Sequence, residues 1–197
     1  MDNLILKLYK SAYENRIPLS CTIQINGECN FRCIHCYINS EDRKLSLSLD
    51  QAKSFIGEIK KRGCLFLTIT GGEPLLHKNF EEIYTYAVKS GLLVTVFTNG
   101  SLIDDYILKL FIKIPPYKIE ITMYGFNDTC SEKITRCKRS KNVKDNVALL
   151  VKNKLPIKLK MFVVKENIEE YALIKNFASQ IDVPFQADGI LLAPVES

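Results

Sequence analysis

The sequence predicts an α/β fold, a partial (β/α)6 barrel of the TIM type on a parallel sheet, and three observations carry that expectation. From Cys21 onward, short β-rich runs alternate with runs of helical period, the pattern of repeated βα units. Six strands with five intervening helices, after a leading helix around Leu4 to Tyr13, suit a partial barrel better than the alternative, a doubly wound open sheet. Finally, every unusual residue cluster falls where a strand hands over to a loop.

The elements follow in order. Thr22 to Ile25 reads as the first strand. Ser48 and Gln51 make a capping-box-like start to a helix with Ala52, Phe55, Ile56 and Ile59 on one face, and Gly63 suits its stop. Leu65 to Thr70 is the second strand. Phe80, Ile83, Tyr84, Ala87 and Val88 stripe the next helix, which ends at Gly91, and Leu92 to Phe97 is the third strand. Tyr106, Ile107, Leu110 and Phe111 lead to the strand Lys118 to Met123. Val143, Val147, Leu150 and Val151 mark the fourth helix, and Ile157 to Val164 the fifth strand. Asn167 with Glu170 gives the fifth helix a capped start, and a last strand lies near Phe185 to Leu191. No linker or low-complexity tract interrupts this order. A single domain over 1–197 is expected, with 1–19 as leading helix and entry segment and 20–197 as the barrel.

Composition narrows the classes further. A chain of 197 residues with 47% hydrophobic content can bury a real core. There is no run of about 18 apolar residues, and Asp2, Lys7 and Lys10 interrupt the apolar N-terminus. A soluble, cytoplasmic protein without a membrane partner is expected. Seven cysteines without an export signal argue for reduced thiols, and their crowding at Cys29, Cys33 and Cys36 argues for metal. The net charge of +5 is modest and suggests no nucleic-acid partner. Lys133, Arg136, Lys138, Arg139, Lys141 and Lys144 form a basic stretch, read as a solvated helix face, with attraction of an acidic peptide as the sharper reading.

In parallel βα folds, reactive residues gather at the C-terminal ends of strands. Cys29-Asn30-Phe31-Arg32-Cys33-Ile34-His35-Cys36 follows the first strand, Gly71-Gly72-Glu73-Pro74 the second, Thr98-Asn99-Gly100 the third, Tyr124-Gly125 the fourth and Lys165-Glu166-Asn167 the fifth. Three cysteines on one short loop can wrap a four-iron cubane, leaving one iron open to a small molecule. Zinc held by these cysteines and His35 is the alternative, but His35 and Cys36 are adjacent and would strain to ligate one ion. Cys21, Cys64, Cys130 and Cys137 read as small hydrophobes or exposed thiols.

The C-x3-C-x2-C loop with Tyr37 directly after it resembles the signature of the radical S-adenosylmethionine (radical SAM) family, and Gly71-Gly72-Glu73-Pro74 is similar to that family's second motif. The resemblance runs from about Pro18 to about Asn167. Ile121 to Gly125 with Glu132 to Thr135 is similar to the peptide-modifying branch, the SPASM-type maturases. The C-terminal auxiliary-cluster domain of that branch is not expected here, since no cysteine follows Cys137.

The resemblance implies a 4Fe-4S cluster on Cys29, Cys33 and Cys36, reductive cleavage of S-adenosylmethionine (SAM) to a 5'-deoxyadenosyl radical, and hydrogen abstraction from a substrate, first of all a ribosomally made peptide. It also implies an electron donor such as flavodoxin or ferredoxin. Gly71 and Gly72 would approach the methionyl part of SAM, with Pro74 stiffening the turn and Glu73 helping to accept its ammonium. Thr98, Asn99 and Thr122 would offer polar groups to the carboxylate or ribose, His35 its backbone to the adenine, and Tyr37 its ring below the cluster. Arg136 or a neighbouring lysine would pair with the SAM carboxylate, although the family usually has a small residue there. A radical SAM enzyme on a small-molecule or cofactor precursor, and a non-catalytic iron-sulfur or partner-binding module, are the alternatives. The open barrel edge is expected to be a lateral entrance for the peptide or the place where a missing domain or partner docks.

Overall fold

The computed structural model describes residues 4–189, so Ile190, Leu191 and the rest of the C-terminus lie outside the described residues. The elements are α1 (Leu4–Glu14), β1 (Ser20–Gln24), α2 (Leu49–Lys61), β2 (Phe66–Thr70), α3 (Phe80–Lys89), β3 (Leu93–Thr98), α4 (Asp105–Lys113), β4 (Lys118–Thr122), α5 (Asp128–Thr135), α6 (Ser140–Lys152), β5 (Ile157–Phe162), α7 (Tyr171–Gln180) and β6 (Phe185–Asp188). Short 3-10 turns occupy Asp42–Lys44, Pro74–Leu76 and Ile168–Glu170.

The six strands form one parallel sheet in the order β1-β2-β3-β4-β5-β6. Every strand lies beside its sequence neighbours, so the winding never reverses as it must in a doubly wound sheet. This is a singly wound partial barrel.

Strand alternation gives the sheet two unlike faces. One face carries Ile23, Leu67, Ile69, Val94, Val96, Ile119, Ile121, Leu159 and Met161, all buried beneath the helices. Against it the helices place Ala52 and Ile56 of α2, Ile83 and Tyr84 of α3, Leu110 and Phe111 of α4, Val147 and Leu150 of α6, and Ile174 of α7. Full burial of one such aliphatic side chain contributes roughly 1.5–3 kcal/mol, so this layer is the main source of stability. The other face carries Thr22, Gln24, Thr70, Phe97, Glu120, Thr122, Lys158, Lys160, Phe162, Gln186 and Asp188, of which only Glu120 is buried.

Local signals behave as their chemistry demands. Ser48 Oγ accepts from Gln51 N at 3.1 Å and Gln51 Oε1 from Ser48 N at 2.8 Å, a complete capping box. Gly63 and Gly91 stop α2 and α3 with φ of 88° and 79°. Three expectations need correction. Phe55 and Tyr106 sit at the margins of their apolar stripes and are 38% and 59% exposed. Asn167 and Glu170 do not cap a helix; both are buried and turned to the β4 loop. Asn167 Nδ2 donates to Tyr124 O at 3.0 Å and Phe162 O at 2.9 Å, and Glu170 accepts from the backbone of Phe126 and the amide of Asn127. The basic stretch is not one helix face either, because the chain breaks between α5 and α6. Lys138 pairs with Glu132, Lys141 with Asp145, and Lys144 lies over the Phe126 ring.

Candidate functional site

The loop that carries the three cysteines is tied down on three sides. After β2, Gly72 N donates to Asn26 O at 2.8 Å and Glu73 N to Glu28 O at 2.7 Å. Only glycine permits this approach: a Cβ on Gly71 would fall 2.1 Å from Asn26 Oδ1, and one on Gly72 would fall 2.3 Å from Gly27 O. After β3, Asn99 Nδ2 donates to Asn30 Oδ1 and Asn30 Nδ2 to Ser101 Oγ, both at 2.8 Å. On the third side Arg32 N and Ile34 N donate to Thr135 O and Ile134 O at 2.8 and 2.9 Å. Those are free carbonyls at the C-terminal end of α5, which the loop uses as acceptors.

Between these loops lies a cavity of about 400 Å³. Cys29, Cys33, Cys36, His35, Tyr37, Gly71, Gly72, Thr98, Asn99 and Thr122 all line it. Thr22, Phe31, Ile38, Thr70, Phe97 and Tyr124 also line it; Phe31 and Tyr124 belong to the strand-end clusters without having been given a role, and the other four were not singled out as site residues. Strand alternation could have supplied Thr22, Thr70 and Phe97, which share the face of Thr122.

Glu73 and Pro74 are placed elsewhere. The Glu73 side chain is completely buried behind the cavity wall and accepts from Thr98 Oγ1 at 2.7 Å, Asn99 N at 2.8 Å and Leu75 N at 3.2 Å. Burial pushes its carboxyl up to about 7, against the lowering effect of those donors. Glu73 thus clamps the β2 loop to the β3 loop, and Asn99, held by it, reaches Asn30 of the cysteine loop. Pro74 is buried in the turn that follows. Arg136 is not among the cavity's residues. It caps α5 in the left-handed region at φ 61°, which glycine alone adopts without strain.

The thiols share a partly dry environment. Burial, then the neighbouring Cys29 and Cys36, pushes Cys33 up to about 12, while a hydrogen bond with the Tyr124 side chain opposes the rise. Burial also raises Cys29, opposed by the Phe31 N–H that points at its sulfur from 3.3 Å. Burial lowers His35, whose ring stacks on Phe162 at 5.0 Å and whose buried Nδ1 has no hydrogen-bond partner. Tyr37 is 53% exposed and its hydroxyl meets Gln24 Oε1 at 3.3 Å.

Burial disfavours the thiolates of Cys29 and Cys33, and a bound cation would stabilise them. Among the described residues no three His, Cys, Asp or Glu side chains converge to hold a single metal ion. A cubane instead takes one thiolate at each of several irons, and this donor set fits it.

The fold and the thiol-rimmed cavity define an α/β-barrel protein that gathers its chemistry at the C-terminal ends of its strands. Within that class the chain belongs to the Radical SAM superfamily, whose family model matches residues 23–178. Membership implies a 4Fe-4S cluster and SAM as cofactors. The antilisterial bacteriocin subtilosin biosynthesis protein AlbA of Bacillus subtilis (strain 168) is 37% identical over 95 residues, 48% of this chain and 21% of that protein. Fe-coproporphyrin III synthase of Methanosarcina barkeri (strain Fusaro / DSM 804) is 29% identical over 103 residues, 51% of this chain and 26% of that protein. The matched segment thus spans about a quarter of the length of these two relatives. The crystal structure of Streptococcus suis SuiB bound to SAM superposes with a TM-score of 0.80 at 13% identity, covering 96% of this chain and 46% of that one. SuiB has also been solved with its precursor peptide SuiA. Among the described residues no helix is long and apolar enough to cross a membrane.

Proposed function

We propose that this chain is the core of a radical SAM enzyme that modifies a ribosomally made peptide. The observation that carries the enzymatic part is the convergence of the cysteine loop and the Gly71-Gly72 loop on one cavity large enough for a small cofactor. Cys29, Cys33 and Cys36 hold the cluster. When bound, cluster and SAM together supply one-electron cleavage of the sulfonium and a 5'-deoxyadenosyl radical that abstracts hydrogen. The protein's own part is to bind and to shield. Backbone carbonyls at Gly71 and Gly72 accept the SAM ammonium in charge-assisted hydrogen bonds. Thr122, with Thr22 and Thr70 on the same face, offers hydroxyls to the ribose or carboxylate, and Phe31, Phe97 and Tyr124 keep water from the reacting carbon. Glu73, Thr98 and Asn99 act one step back, holding the loops.

A peptide substrate is supported by the bacteriocin biosynthesis protein among the relatives and by the precursor peptide bound to SuiB. The small-molecule reading is favoured by Fe-coproporphyrin III synthase. An electron donor such as flavodoxin or ferredoxin completes the scheme.

The test is anaerobic reconstitution with iron and sulfide, then SAM, dithionite and a peptide encoded beside the gene. We expect about four irons per chain from the three-thiolate arithmetic, 5'-deoxyadenosine formation that is abolished in Cys29→Ser, Cys33→Ser and Cys36→Ser, and a changed peptide mass. Full iron loading without any 5'-deoxyadenosine would overturn the enzymatic reading. Abundant 5'-deoxyadenosine with an unaltered peptide would turn the assignment to a small molecule.

A further inference from the structure

The cavity takes its lining from the cysteine loop and from β1 to β4 with their loops, and no residue of β5 or β6 belongs to it. On those two strands the face turned away from the helices carries Lys158, Lys160, Phe162, Gln186 and Asp188, all half-buried or more exposed. A reaction between SAM and a second molecule needs a second seat beside the first. This face is contiguous with the cavity wall. Lys160 is paired in register with Thr122, and its ammonium lies 4.8 Å from the ring centroid of Phe97; both of those residues line the cavity. Phe162, level with Asp188, stacks on His35, which lines it too.

The charges on this face do not cancel. With Lys118 and Glu120 of β4 it holds three lysines and two carboxylates. Lys160 stands 3.4 Å from Glu120 and 3.8 Å from Asp188, and Lys118 stands 3.9 Å from Glu120. Lys158 is left over. Its ammonium donates to the neutral Gln186 Oε1, and among the described residues no carboxylate lies within ion-pair distance of it. Gln186 is itself held, because its Nε2 donates to both oxygens of Asp188 at 2.9 and 3.1 Å. Lys160 has capacity to spare as well. Its side chain is only 23% exposed, yet both of its ion pairs are longer than a charge-assisted hydrogen bond of about 2.7–2.9 Å. One surplus charge and a shielded ammonium open to a better acceptor suit a single carboxylate.

We propose that Lys158 and Lys160 form a substrate subsite that takes the carboxylate of an acidic side chain in the peptide and so sets that segment beside the cavity. The inference rests on the peptide reading above. Among the described residues β6 is the last strand of the sheet, so an extended chain can lie along that edge and reach both lysines. The lysines touch no reacting atom. They determine which part of the substrate is presented.

The experiment measures binding of two blocked peptides, acetyl-Gly-Phe-Glu-Phe-Gly-amide and its Gln counterpart, to the reconstituted protein with SAM, by peptide-observed nuclear magnetic resonance. Wild type should bind the Glu peptide at least about tenfold more tightly than the Gln peptide. Lys158→Gln and Lys160→Gln should each lose about tenfold for the Glu peptide and nothing for the Gln peptide. Lys158→Arg should restore binding to within about threefold of wild type. Lys141→Gln, which removes an exposed lysine paired with Asp145, should match wild type. Lys158→Gln breaks a bond to a neutral partner only, so it decides the matter if Lys160→Gln, which strips two carboxylates of a cation, does not fold. Equal affinity of wild type for the two peptides, or binding of neither, overturns the proposal, as does an equal loss in Lys141→Gln. A parallel fall in SAM affinity in the lysine variants, read by calorimetry, also overturns it, since the carboxylate is then that of SAM. Failure of wild type to form 5'-deoxyadenosine removes the enzymatic reading, a separate result.

Discussion

The two halves of the sheet's inner face are built from different chemistry. Across β1 to β3 it carries Thr22, Gln24, Thr68, Thr70 and Thr95, all neutral. Across β4 to β6 it carries Lys118, Glu120, Lys158, Lys160, Gln186 and Asp188. Each half holds a buried glutamate, and the two are satisfied in opposite ways. Glu73, beyond the end of β2, is surrounded by neutral donors from Thr98, Asn99 and Leu75. Glu120 lies between Lys160 at 3.4 Å and Lys118 at 3.9 Å, and Lys160 reaches on to Asp188 at 3.8 Å. Dipoles fix geometry but leave a buried carboxylate easily protonated, whereas ammonium groups neutralise it at the cost of desolvating both partners.

The largest effect that could break this comparison is removal of the Glu73 carboxylate. Glu73→Ala leaves the Thr98 hydroxyl, the buried Asn99 N–H and the part-buried Leu75 N–H without their carboxylate acceptor and should cost about 3–5 kcal/mol. Urea denaturation of the iron-free protein measures it, and a loss below about 1 kcal/mol would show that Glu73 is no clamp. Dependence on pH sharpens the contrast. The Glu73 carboxyl is raised to about 7 from an ordinary 4.5. Its contribution is therefore fully present below pH 4.5 and declines by about 3 kcal/mol as pH rises through 7. Glu73→Gln should flatten that slope, seen by comparing denaturation midpoints at pH 5 and pH 7.5.

On the charged half, Glu120→Gln should cost about 1 kcal/mol, since its partners keep access to water and Lys160 retains Asp188. Its cost should shrink in high salt while that of Glu73→Ala does not. A calibration outside both halves is the smallest effect. Arg136→Gly should stabilise by about 0.5–1 kcal/mol, because glycine accepts φ 61° without strain. If thermal unfolding moves the other way, side-chain contacts of Arg136 outweigh the backbone term.

The sequence made the βα order and the cavity's main loops legible because strand alternation, caps and motifs are local signals. Three things were hidden. The helix α5 is only eight residues long and weakly periodic, so it passed for part of a basic stretch. Its one clear mark was Asn127, whose side chain accepts from Cys130 N at 2.9 Å. Asn167 and Glu170 have capping-box spacing, but tertiary acceptors and donors claimed both side chains. For Glu73 the motif fixed the residue and not its direction; packing of β2 against β3 turned the carboxylate away from the cavity.

The cysteine loop makes its backbone hydrogen bonds to the β2 loop and to α5 with protein groups alone. None of these bonds uses an iron or cofactor atom, so the loop's attachment to the barrel is expected to survive loss of iron. Oxidative loss of iron should then leave a refillable site in an intact barrel, so that far-ultraviolet circular dichroism of the stripped protein matches that of the loaded protein and a second reconstitution recovers the first.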